Sequence, residues 1–126
     1  MNVDKVLWLG MAMSTVIYAV LSYLTLGEPA GSFEDGLNHR YTMALYGMAV
    51  VDFVLAFIVP GFLRAPARTK MIVSLALFEA CAIFGLMAAF LARDWRLFIP
   101  AWIVALIGMM RVYPWADSPE NQYIPR

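Results

Sequence analysis

Residues 64–93, RAPARTKMIVSLALFEACAIFGLMAAFLAR, decide how this chain folds. A basic turn carrying Arg64, Arg68 and Lys70 surrounds Pro66. The residues after it are apolar for about 20 positions, the length a helix needs to cross a hydrocarbon core ~30 Å thick at ~1.5 Å per residue. One carboxylate, Glu79, stands in the middle of this run. An ionisable side chain at that depth is costly unless it is protonated, paired or reached by water, so Glu79 is the first site residue to consider.

Three more apolar runs have comparable length. The four predicted helices cover 6–26, 41–63, 71–91 and 97–115, followed by a polar tail over 116–126, ADSPENQYIPR. Short polar loops separate them. The first loop contains GEPAGSFEDG, rich in turn formers, and has room for a short amphipathic turn around Phe33 and Leu37. The sequence therefore predicts an all-α fold: residues 1–126 form a single transmembrane domain, an integral membrane bundle of four helices. The first run lacks a strongly basic start and a small-residue cleavage site, so it reads as a retained span rather than a signal peptide.

Composition agrees. Of the 126 residues, 63% are hydrophobic and only 14% charged, with formal net charge zero. A soluble domain is closer to ~45–50% apolar. A chain without a basic face does not bind nucleic acid electrostatically. A single cysteine, Cys81, excludes an internal disulfide, and a single histidine, His39, excludes a haem held by two histidines of this chain. We expect no cofactor and no metal site. The nine methionines read as gap fillers between helices.

Lys and Arg set orientation. With the 64–70 turn inside, the cytoplasmic side holds Lys5, Arg64, Arg68, Lys70, Arg111 and Arg126, against Arg40, Arg93 and Arg96 outside. Both termini are then cytoplasmic, in a multi-pass protein of the cell (inner) membrane. Trp8, Tyr41, Trp95, Trp102, Tyr113 and Trp115 fall near predicted helix ends, where aromatic rings anchor at the headgroups.

Asp52 is a second carboxylate in an apolar run. Counting outward from the basic turn puts it within about 4–5 Å of the depth of Glu79 in an antiparallel hairpin. Two carboxyl groups that meet there share a proton and titrate as one unit. Asp52 and Glu79 are thus proton-binding candidates. A structural hydrogen bond is the other reading, and so is an ion pair of Glu79 with Arg111 on the fourth run. Ser14, Thr15 and Thr42 read as interhelical or backbone hydrogen bonders.

Residues 64–92 resemble the carboxylate-bearing arm of subunit c, the proteolipid of rotary ATP synthases. Arg64-Ala65-Pro66 corresponds to that family's Arg-Gln-Pro cytoplasmic turn. Phe78-Glu79-Ala80-Cys81-Ala82-Ile83-Phe84-Gly85-Leu86 is similar to the setting of its proton-binding carboxylate. The resemblance covers 29 of the 126 residues. It implies a cytoplasmic 64–70 turn and a proton carrier at Glu79.

The loops hold no nucleophile–base pair, so the chain is not expected to be an enzyme. Its expected role is a non-catalytic scaffold or accessory subunit of a larger membrane complex. The alternative is a proteolipid-like proton-handling or transport subunit working through Glu79, paired with Asp52. The expected partners are the lipid bilayer and other membrane-protein subunits or further copies of the chain.

Overall fold

The computed structural model describes residues 3–29 and 31–114, and these are helical with no strand among them. Helix α1 spans Val3–Leu26, α2 Phe33–Leu37, α3 Thr42–Phe62, α4 Ala67–Ala92 and α5 Phe98–Arg111, with a 3-10 turn over Trp95–Leu97 ahead of α5. The predicted residue Trp115 and the tail lie outside the described residues.

Local chemistry accounts for the boundaries. Asp4 in the first turn of α1 complements the positive end of its dipole. Gly27, with φ +63°, ends that helix in the left-handed conformation that glycine adopts without strain. Ser32 caps the short α2 through a reciprocal capping box with Asp35. Pro60 sits in the last turn of α3, which stops at Phe62. Helix α4 starts at Ala67, four residues earlier than its apolar run, because the basic residues after Pro66 join its first turn. It ends at Arg93, the one non-glycine residue with positive φ (55°) among those described. A β-carbon in that conformation costs about 1 kcal/mol. Arg93→Gly is therefore expected to stabilise the fold by about that amount, read as a rightward shift of a detergent unfolding curve.

The fourth run needs correction. Three described helices, α1, α3 and α4, have the length and composition to cross a membrane. Helix α5 has 14 residues and is shorter than the predicted 97–115. Of the predicted run, Leu97 falls in the 3-10 turn instead, which Asp94 caps by accepting from the N–H of Arg96. At the other end Pro114 disfavours a helical Tyr113, so the helix closes at Val112.

Helix α4 is central. It packs most extensively on α3, then on α5 and α1, and α1 also touches α5, whereas α1 and α3 barely meet. One core joins Leu75 and Phe78 of α4 to Ala56, Ala12 and Met109. Another joins Ala82 and Ala89 to Leu97, Phe98 and Ala105. Small residues let the axes approach, as membrane helices require when water supplies no driving force between them. A β-carbon on Gly85 would lie 2.3 Å from Cβ of Ala101. Gly85→Ala must then push α5 away from α4, an overpacking cost of about 1–3 kcal/mol, measurable by the same unfolding titration.

Polar bonds tie α1 and α3 to the rest. The indole N–H of Trp8 donates to the carbonyl of Met109 (2.6 Å), and that of Trp102 to Oγ1 of Thr15 (3.0 Å). Trp8 and Trp102 are thus interhelical donors, a role their positions near predicted helix ends did not announce. Tyr46 donates to the carbonyl of Leu97, and Ser74 to that of Ala56 (3.2 Å).

Candidate functional site

The polar groups fall into two end clusters and one central cluster. At one end, Nε of Arg68 meets Oδ1 of the buried Asp4 at 2.6 Å, joining the starts of α1 and α4. At the other, Arg96 grips the buried Asp94 through Nε and Nη2, both at 2.9 Å, and also donates to the carbonyl of Gly31 (2.8 Å). These two are the ion pairs among the described residues.

The central cluster is built on Glu79. Its Oε1 accepts from Oγ of Ser14 (2.9 Å) and from the hydroxyl of Tyr18 (2.8 Å). Ser14 and Tyr18 are four residues apart and so lie one above the other on one face of α1. All three stand near the middle of their helices, since α1 and α4 run parallel with Asp4 level with Arg68. Ser14 also lies 2.7 Å from the carbonyl of Met11. A serine hydroxyl has one proton and two lone pairs. It can give that proton to Glu79, or give it to Met11 and accept one from a protonated Glu79. The cluster is hydrogen-bonded in either state.

Asp52 takes a different direction. The bond between Ser74 and Ala56 fixes the α3–α4 register. One helical turn from it, in opposite senses along the two helices, Asp52 comes level with Phe78, so the two carboxylates share a depth. Their side chains diverge, however. Glu79 turns to α1, while Asp52 lines a shallow groove with Ala44, Gly47, Met48, Val51 and Phe84. No hydrogen bond joins them, and the guanidinium of Arg111 lies over the ring of Phe57, 5.7 Å from its centroid, rather than on either carboxylate.

Between the two carboxylates α4 shows an exposed stripe. Ile72, Ala76, Ile83 and Met87 follow one another at helical spacing and are exposed. Glu79 stands beside the stripe on the α1 side, and Phe84, which shares the groove with Asp52, beside it on the α3 side. Helices α1 and α3 do not close over this face, which is left open between them; we call it the furrow. On the opposite side of α3 a separate apolar cavity of about 200 Å³ holds Cys81 with Ala49, Phe53, Pro100 and Val104. Among the described residues no group of three or more His, Cys, Asp or Glu side chains is placed to hold a metal.

Sequence reading singled out Glu79 and Ser14 but not Tyr18, the second donor. The signal was present as a hydroxyl one turn beyond Ser14 in an otherwise apolar run. The Asp4–Arg68 pair was also missed, because Arg68 entered only as a loop charge and Asp4 only as part of the segment ahead of the first run. Scans against protein-family models, curated proteins and solved structures return no match to this chain.

Proposed function

We propose that this chain is a small multi-pass protein of the inner membrane that serves, without catalysis of its own, as an accessory subunit of a larger membrane assembly. The observation that carries this reading is the open furrow: two long apolar helices pack on α4 and not on each other, leaving a helix-wide face with carboxylates at its edges. A self-sufficient bundle would close that face. Purification in mild detergent tests it. A partner membrane protein retained in fixed stoichiometry through two chromatographic steps is expected; a chain that purifies as a lone monomer with full cellular function refutes it.

In this reading α5 and its 3-10 turn complete a fourth crossing, and both termini are cytoplasmic. Two aromatic pairs support the fourth crossing. Trp95 packs edge-on against Tyr23 at one end (5.3 Å), and Tyr113 against Trp8 at the other (4.8 Å), so the α5 segment runs the same interval as α1. In a Cys81→Ala background, single cysteines at Ser32 and Ala67 are expected to label from opposite faces of intact vesicles. Labelling of both from one face would end the topology.

A second reading has its own support. Glu79 with Ser14 and Tyr18 is a carboxyl whose hydroxyl partners accommodate it with or without a proton, which suits proton handling. Vesicles carrying the protein and a pH-sensitive dye test it: proton flux above that of empty vesicles, abolished by Glu79→Gln, is the expected result, and flux equal to empty vesicles refutes it.

A further inference from the structure

We infer that the furrow between α1 and α3 receives a transmembrane helix of a different protein, one that carries a basic side chain near its middle. This rests on the accessory-subunit reading and names the kind of partner. The floor is the exposed stripe Ile72, Ala76, Ile83 and Met87 of α4. Both flanks have bare backbone. A β-carbon on Gly10, one turn before Ser14 on α1, or on Gly47, in the Asp52 groove of α3, would meet nothing within 4 Å. Exposed glycines across a groove are what close helix docking uses.

Charge decides which helix fits. Glu79 and Asp52 sit at one depth on the two sides of the furrow, and the described cations are elsewhere: Arg68 on Asp4, Arg96 on Asp94, Arg111 over Phe57, Lys5 and Lys70 in the first turns of α1 and α4, and Arg40, Arg64 and Arg93 between helices. Intramembrane charges pair with one another because isolation in hydrocarbon is costly. A second copy of this chain cannot supply the complement. Its Lys and Arg residues lie at the ends of the described helices or in loops, so a homodimer would bring more carboxylates to mid-depth and no cation. Lipid acyl chains would cover the floor and bring no cation to either carboxylate, although Glu79 keeps its bonds from Ser14 and Tyr18. A mid-span lysine or arginine supplies the cation at the depth of both groups.

The test uses the full-length protein in phosphatidylcholine vesicles with two labelled synthetic helices. Each is a Leu/Ala transmembrane peptide of about 20 residues, one with a single central Lys and the other with Leu there. Energy transfer between peptide and protein reports association. The Lys peptide is expected to associate about tenfold more tightly or better, as close charge pairs do in excluded sites. Asp52→Asn should reduce that preference and Asp52→Asn with Glu79→Gln abolish it. Ala76→Trp, which fills the furrow and leaves both carboxylates, should weaken both peptides. Equal association of the two peptides overturns the proposal, as does a Lys preference that survives the double substitution. Strong transfer between two labelled copies of the protein, blocked by Ala76→Trp, would assign the furrow to self-association instead. A partner that co-purifies but remains bound in the double variant would keep the accessory-subunit reading while removing this surface from it.

Discussion

Phe78→Ala is expected to cost about 3–5 kcal/mol of stability, the range for deleting a fully buried aromatic side chain. The ring is 0% exposed and meets Phe53 and Phe57 of α3 at centroid distances of 5.5 and 5.4 Å. On its other side it fills the space left by Gly108, where a β-carbon would come within 2.1 Å of it. One side chain therefore joins α3, α4 and α5. Lipid tails are as apolar as the core, so the loss comes from packing rather than from exposure to water. Unfolding in mixed detergent micelles, with helicity followed by circular dichroism, measures it. A change under ~1 kcal/mol would mean that the surrounding helices collapse into the space, which Gly108 and Gly85 give them little freedom to do.

The second large effect concerns Glu79, where two substitutions separate shape from proton. Glu79→Leu removes the acceptor of the Tyr18 hydroxyl, while Ser14 keeps the carbonyl of Met11. The expected loss is about 1–2 kcal/mol, since interhelical hydrogen bonds in membranes are individually modest. Glu79→Gln keeps an oxygen for both donors and should cost well under ~1 kcal/mol. The functional consequences differ more sharply. If the chain handles protons, both substitutions stop it completely, because neither side chain can release a proton. If it is an accessory subunit, Glu79→Gln still assembles with its partner. Stability and assembly measured together on the two variants therefore distinguish the readings, and a Gln variant as unstable as the Leu variant would contradict the hydrogen bonding of the cluster.

The helices themselves were legible because length and hydropathy are local properties. The apolar runs gave α1, α3 and α4 to within about four residues at each end. The register of Asp52 and Glu79 followed from counting residues along a hairpin. What the runs did not contain was rotation about each helix axis. A soluble helix advertises its buried side by a polar one. Here Ile, Leu, Val and Met surround each helix, and nothing local says that Glu79 turns toward Ser14 and Tyr18 while Asp52 turns to the groove beside Phe84. Those directions depend on which small residues admit which neighbour, as Gly85 admits Ala101 and Gly108 admits Phe78. The short α5 was obscured for a related reason. Hydropathy continues past Arg111 through Val112 and Tyr113, although Pro114 already marks where a regular helix cannot extend.

The two edge-on aromatic pairs also set a ruler across the molecule. Trp8 and Tyr23 are about four turns apart on α1, or roughly 22 Å of helix rise, and their partners Tyr113 and Trp95 repeat that interval on the α5 side. In the proposed four-span arrangement rings of this kind would settle at the headgroup boundary, and the slab between them would be several ångströms thinner than the ~30 Å of an average bilayer. The ion pair of Asp4 with Arg68, one turn outside Trp8, keeps that boundary from sliding outward. A protein with this spacing relieves hydrophobic mismatch by thinning the lipid around it or by gathering in regions already thin, at a cost of a fraction of a kcal/mol for each ångström. Under the proposed accessory role, membrane thickness would then act as a sorting signal, drawing the proposed partners to the same deformed patch of lipid.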